Sequence, residues 1–201
     1  MSTLAFLNPA AADDGVIARS PMERLAQQSG ARFEVRDGWN VAVDYPGARG
    51  DAVSWADVSH LRKFELQGAG VPGEFGQAVR DGDRWVCRLT ETRTLVIGGG
   101  DPPEGAIDVT CNYAALTILG PNAREVIARF CALDLRPQTS PPHSFRPGSI
   151  ARQPGLLVVE AENRFLLLFG WATAEYMWTV VADVARPLGG SPVGIEALPD
   201  A

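Results

Sequence analysis

The stretch from Asp108 to Leu135 constrains the fold most. Ala115-Leu116-Thr117-Ile118-Leu119 is apolar and partly β-branched, the pattern of a mostly buried strand. Gly120-Pro121-Asn122 ends that strand. Asn122 is placed to cap a helix, because its side-chain oxygen can accept a bond from a free N–H of the first turn. Val126, Ile127 and Phe130 then recur at helical spacing and give one apolar face. Arg124 and Arg129 lie off that stripe, where they can stay wet. The unit is strand, tight turn, amphipathic helix.

The flanking sequence adds strands on both sides. Ser20-Pro21-Met22-Glu23 has the form of a helix start, with Ser20 at the N-cap, Pro21 at the first helical position and Glu23 completing a capping box. That helix runs to about Gln28 and stops at Gly30. Phe33 and Val35, then Trp39, Val41 and Val43 after the Asp37-Gly38 turn, predict a hairpin with one buried face. Tyr45 to Asp51 reads as a loop, Lys63 to Gly68 as a strand, and Glu74 to Asp83 as polar and turn-rich. Trp85 to Leu89 and Thr94 to Ile97 form two more strands, and Gly98 to Pro103 a flexible connection. Pro137 to Pro147 is a Pro-rich loop, and Ser149 to Arg152 opens a further strand. Gly155 to Glu160 and Arg164 to Phe169 predict a hairpin turning at Ala161-Glu162-Asn163. Thr173 to Val184 is a final helix with Met177, Val180, Val181 and Val184 inside.

The order points to an α+β fold, with about three helices packed on mostly antiparallel sheet. Residues 1–19 read as a flexible N-terminal tail, 20–190 as the domain and 191–201 as a C-terminal tail. One internal echo stands out. Asp57-Val58-Ser59-His60 leads to a strand ending at Gly68, and Asp108-Val109-Thr110-Cys111 leads, one residue longer, to a strand ending at Gly120. It reads as two similar strand entries rather than a duplication.

Composition excludes several functions. A length of 201 residues suits one large domain or two small ones, and a hydrophobic fraction of 46% can fill its core. The net charge of −6 and the absence of a basic run argue against nucleic acid as the partner. No segment reaches the roughly 20 apolar residues of a membrane span, and the N-terminus does not read as a signal peptide. Cys87, Cys111 and Cys131 are odd in number and show no CxxC spacing, so reduced thiols in a cytoplasmic protein are expected. Two histidines without paired spacing argue against a histidine metal site.

Asp57 and His60 are the strongest local candidates for catalysis, since a carboxylate beside an imidazole fixes its tautomer and raises its basicity. The competing structural reading is a turn-forming Asp and a His on a wet edge. His143, in the Pro-rich loop, has no sequence neighbour to act with and reads as a surface residue. Cys111 and Cys131 read as small buried hydrophobes. Gly98-Gly99-Gly100 lacks the context of a phosphate loop. Trp171, Tyr176 and Trp178 suit either core or ligand stacking, and Arg152 either surface or the recognition of an anion.

The central unit resembles the gamma subunit of heterotetrameric sarcosine oxidase. The resemblance rests on Asp108-Val109-Thr110, on Gly120-Pro121-Asn122-Ala123-Arg124 and on the run Cys131-Ala132-Leu133-Asp134-Leu135-Arg136-Pro137. Gly82-Asp83-Arg84-Trp85 and the aromatic pair Tyr176 and Trp178 extend it. Ser20-Pro21-Met22, Gly30-Ala31-Arg32, Gly38-Trp39 and Asp57-Val58-Ser59-His60 are similar to the opening of the glycine-cleavage aminomethyltransferase, the T-protein. Together these resemblances cover about Ser20 to Gly190.

They imply a folate-binding-type fold and one-carbon metabolism, in which an N-methyl amine is oxidised and its methyl carbon passes to tetrahydrofolate or leaves as formaldehyde. The resemblance implies an accessory subunit beside a larger flavin-dependent oxidase or demethylase, with FAD only in that partner chain. The rival is a stand-alone tetrahydrofolate-dependent transferase, with Asp57 and His60 as catalytic residues and Arg152, Tyr176 and Trp178 as folate contacts. T-proteins carry an acidic residue on a Gly-Gly-x-x-Asp-Asp strand after the central unit. The corresponding Gln153 to Val159 holds no carboxylate, so Leu and Val stand where a cationic carbon would need a negative charge. The chain is also much shorter than a full T-protein.

Overall fold

The computed structural model describes residues 15–47 and 52–199. Most of the expected N-terminal tail and part of the loop over 45–51 lie outside the described residues. The elements in order are β1 (Ala18–Arg19), α1 (Glu23–Gln28), β2 (Arg32–Arg36), β3 (Trp39–Asp44), β4 (Val53–Asp57), β5 (Lys63–Gln67), β6 (Ala78–Asp81), β7 (Arg84–Thr90), β8 (Arg93–Gly98), β9 (Ile107–Asp108), β10 (Tyr113–Leu119), α2 (Ala123–Ala128), β11 (Phe145–Ile150), β12 (Gln153–Ala161), β13 (Arg164–Gly170), α3 (Ala174–Ala185) and β14 (Gly190–Pro192).

The strands form a six-stranded sheet in the order β11-β12-β13-β10-β4-β14, a five-stranded sheet in the order β6-β7-β8-β5-β9, and a small sheet β1-β3-β2. Pairing is antiparallel except for β1 on β3 and β14 on β4. The six-stranded sheet is the middle layer. Phe165, Leu167 and Phe169 of β13 face the helices, where they join Met22, Val126, Met177 and Val181 in one core. Leu166 and Leu168 face the other way and join Trp85, Cys87, Leu95 and Ile97 of the five-stranded sheet in a second core. Burial on both faces is why Phe165-Leu166-Leu167-Leu168-Phe169 is apolar throughout instead of alternating.

The expected hairpins form. Asp37 (φ 49°) and Gly38 (φ 78°) supply the left-handed pair that a two-residue turn between twisted strands needs. Val35, however, is 57% exposed, because the outer face of β2 has no covering layer. β12 and β13 turn at Glu162-Asn163 as the sequence indicates. The helix ends differ from expectation. Neither Ser20 nor Asn122 caps its helix through its side chain. Arg124 does not stay wet: its guanidinium donates to the carbonyls of Leu135, Ser140 and Glu162 and lies 5.0 Å from the Phe165 ring centroid. The polar stretch before Asp83 contains edge strand β6, and the Pro-rich loop contains the start of β11. Ala151 (φ 50°) and Arg152 (φ 63°) form a turn rather than a strand entry. Residues 190–198 do not hang free. β14 pairs with β4, and Val193, Ile195 and Leu198 pack on the second core.

The internal echo is an interlock. In both copies the Asp Oδ1 accepts the N–H two residues on, Asp57 from Ser59 at 2.9 Å and Asp108 from Thr110 at 2.8 Å. The next hydroxyls then cross over. Ser59 Oγ accepts the Ala115 N–H at 3.1 Å, and Thr110 Oγ1 accepts the Lys63 N–H at 3.0 Å. Two main-chain bonds complete the exchange, Val58 N–H to Ala115 O at 3.0 Å and Val109 N–H to Lys63 O at 2.9 Å. Each turn carries the chain from one large sheet to the other, β4 to β5 and β9 to β10.

Leu167 is fully buried in the central strand, where a cavity cannot collapse easily. Leu167→Ala is expected to lower stability by about 2–5 kcal/mol, measured by urea unfolding.

Candidate functional site

Asp57 closes β4 and points inward, because Trp55 and Ala56 before it are fully buried and hold the strand in the middle layer. Its Oδ2 accepts the Ser20 hydroxyl, and its Oδ1 is taken by the Ser59 N–H. Burial raises its pKa above the usual aspartate range, while Ser20, Ser59 and nearby Lys63 oppose the rise. Ser20 thus serves Asp57 and the Met22 N–H, which it accepts at 3.1 Å, rather than a capping box.

Lys63 is the residue that sequence reading passed over. It is the only lysine in a chain with 17 arginines, which is the signal that could have marked it. Its side chain is fully buried. Nζ donates to the carbonyls of Ser59 and Leu61, both at 2.8 Å. Burial lowers its pKa to about 8, against the pull of Asp57, Cys111 and Asp108. A guanidinium could not shed its charge in such a place, whereas an ammonium can. Its role is to hold the turn between β4 and β5 from inside.

His60 is half-buried on that turn. Burial, followed by the positive charge of Lys63, lowers its pKa to about 4, so the imidazole is neutral at pH 7. Among the described residues no hydrogen bond joins it to Asp57. The two meet only at a recess of about 10 Å³, with no room for an organic substrate. On its other side His60 borders a cleft of about 460 Å³, together with Asp37, Trp39, Arg62 and the run Gly98-Gly99-Gly100. That run is a wall packed on the start of β7. A Cβ on Gly98 would lie 2.5 Å from the Asp83 carbonyl oxygen.

The expected folate contacts separate. Arg152 is exposed in the β11–β12 turn and makes no hydrogen bond or ion pair among the described residues. Tyr176, on α3, joins it there by donating to the Ala151 carbonyl at 3.1 Å. Trp178 is 2% exposed and sits edge-on to Trp55 at 6.0 Å, inside the helix-side core. Cys111 is exposed and Cys131 half-buried, so of the three thiols only Cys87 is the small core hydrophobe. Among the described residues no group of three His, Cys, Asp or Glu side chains could hold a metal ion, and no helix is long and apolar enough to cross a membrane.

No family model matches the chain. It is 27% identical over a 232-residue alignment to an aminomethyltransferase of Parafrankia sp. (strain EAN1pec), covering 91% of this chain and 62% of that protein. It therefore spans less than two thirds of the curated relative. It superposes with a TM-score of 0.67 on a chain of the heterotetrameric sarcosine oxidase from Corynebacterium sp. U-96, solved in complex with pyrrole 2-carboxylate, at 20% identity. That match covers 91% of this chain and 98% of the other. The glycine cleavage system aminomethyltransferase T from Bartonella henselae also superposes at 0.67, with 16% identity and 60% of its length covered.

The buried amine makes a pH prediction. Below pH 8 Lys63 is charged in both folded and unfolded chains, and its burial opposes folding in full. Between pH 8 and 10.5 only the unfolded chain holds the proton, and stability rises with pH. Relative to Lys63→Met, the wild type is expected to gain about 3 kcal/mol across that window, read from urea midpoints at each pH.

Proposed function

We propose that this chain, which has the aminomethyltransferase-like folate-binding fold, is an accessory, gamma-like subunit of a flavin-dependent sarcosine oxidase or related N-methyl amine demethylase. FAD belongs to the larger partner chain, and the subunit serves assembly in one-carbon metabolism. One observation carries the reading. The alignment runs over 98% of a chain from a heterotetrameric sarcosine oxidase, but over only 62% and 60% of the two aminomethyltransferases.

The site supports it. A transferase of this fold needs a carboxylate facing the one-carbon unit, and β12 carries none before Glu160. Glu160 itself is occupied, accepting from Trp85 Nε1 and Arg164 Nε, each at 3.0 Å. Asp57 has both oxygens engaged and only a recess of about 10 Å³ in front of it, and among the described residues His60 makes no bond to it. Val35, Val79 and Ile107 are exposed on edge strands β2, β6 and β9, where apolar side chains beside unpaired backbone suit a protein neighbour.

The rival, a tetrahydrofolate-dependent transferase, draws on the cleft beside Trp39 and His60 and on the unpartnered Arg152 next to Tyr176. Co-expression with a flavin-dependent amine oxidase chain is expected to give a stoichiometric complex that survives gel filtration. Calorimetry of the isolated, folded chain with tetrahydrofolate is expected to show no saturable heat. Micromolar folate binding that is lost in Arg152→Ala, with transfer activity lost in Asp57→Asn, would replace the subunit reading with the transferase.

A further inference from the structure

A second cavity lies at the end of the six-stranded sheet where β4 begins, not where it ends at Asp57. It has a volume of about 510 Å³, and its walls include Leu119, Ala161, Pro199, Arg80, His143 and Arg164. Its base is Trp85, which is 5% exposed and fixed by its Nε1 bond to Glu160. The Arg80 guanidinium lies over the indole, 4.8 Å from the ring centroid. The His143 ring meets the same indole edge-on at 5.4 Å.

His143 is held there by its backbone. Its φ is 65°, in the left-handed region that a non-glycine residue seldom occupies. Its N–H donates to the Val159 carbonyl at 2.6 Å, and its own carbonyl accepts the Ala78 N–H at 2.8 Å. Among the described residues its ring nitrogens have no hydrogen-bond partner. His143 is exposed, as the sequence reading expects, and is clamped in an unfavourable conformation with its imidazole at the rim of the cavity.

The charges at this wall do not cancel. Glu160 is matched by Arg164, whose Nε lies 3.0 Å from its Oε2. Arg80 donates only through Nε, to the Gly82 carbonyl at 3.0 Å, and has no ion pair among the described residues. Its two Nη groups are left to the cavity and solvent. The local excess is one positive charge, beside an apolar wall of leucine, alanine and proline.

We infer that this cavity binds an aromatic monocarboxylate. Its size suits one small ring system. The carboxylate would accept from the Nη atoms of Arg80, which the indole holds in place beforehand, and from the His143 ring. The ring would lie against the Leu119–Pro199 wall. A cation would meet the excess positive charge, and a neutral ring would leave Arg80 without a counter-charge. The inference does not depend on the subunit reading, which uses from this cavity only the bonds of Glu160 to Trp85 and Arg164.

The test is calorimetry and ligand-observed NMR of the full chain with 2-naphthoate, compared with 2-naphthamide. Saturable binding of the acid is expected, weakened about tenfold or more in the amide and in Arg80→Gln. Arg80 is exposed on an edge strand, so this variant is expected to keep the wild-type circular dichroism spectrum. The inference fails if the amide binds as tightly as the acid, if Arg80→Gln binds the acid unchanged, or if the folded wild type shows no saturation by about 10 mM acid.

Discussion

The two Asp-x-Ser/Thr turns hold the fold together at the point where the chain twice changes sheets. Ser59 and Thr110 are buried polar residues, and burial without partners would be costly. Each hydroxyl accepts the main-chain N–H of the other crossing. The two crossings therefore satisfy one another. Everything attached to them follows: β4 and β10 pair in the middle layer, β5 and β9 pair in the outer one, and the second core forms between them.

The same lock takes up the hydrogen-bonding groups of Asp57 and Lys63. Asp57 is the first residue of a turn and spends its oxygens on Ser59 and Ser20. Lys63 braces the turn from within through two carbonyls. His60 is pushed outward between them and loses basicity by burial near a positive charge. A carboxylate, an imidazole and an amine lie within seven residues, yet their geometry serves the backbone.

Burial on both sides of the middle sheet also shapes the surface. Apolar side chains fill two cores, and of the exposed ones Val35, Val79 and Ile107 lie on edge strands while Phe75 and Tyr176 lie on a loop and on α3. Arginine, used 17 times, supplies the outer charge and packs its flat head on rings, as at Phe75, Trp85 and Phe165. Lysine is kept for the single interior position, where its Nζ donates to the carbonyls of Ser59 and Leu61.

Local pattern was enough for much of this. The apolar run of β13, the Asp37-Gly38 and Glu162-Asn163 turns, the strand–turn–helix unit at Gly120 and the burial of Met177 and Val181 on α3 depend on neighbours within a few residues, and the sequence determines them by itself, whereas Val180 and Val184 are only partly buried. Motif resemblance added the fold. Tertiary structure alone decided where polar side chains spend their hydrogen bonds. Ser20 donates its hydroxyl to Asp57, 37 positions away. Arg124 turned inward to the carbonyls of Leu135 and Ser140. Trp178 went to the core and Tyr176 to the Arg152 turn, although both sit on one helix two residues apart. β14 found β4 across more than a hundred residues. Element formation is a short-range balance of backbone preference and periodic burial. A buried donor or acceptor takes whichever partner the packed layers bring within about 3 Å, and no sequence spacing encodes that distance.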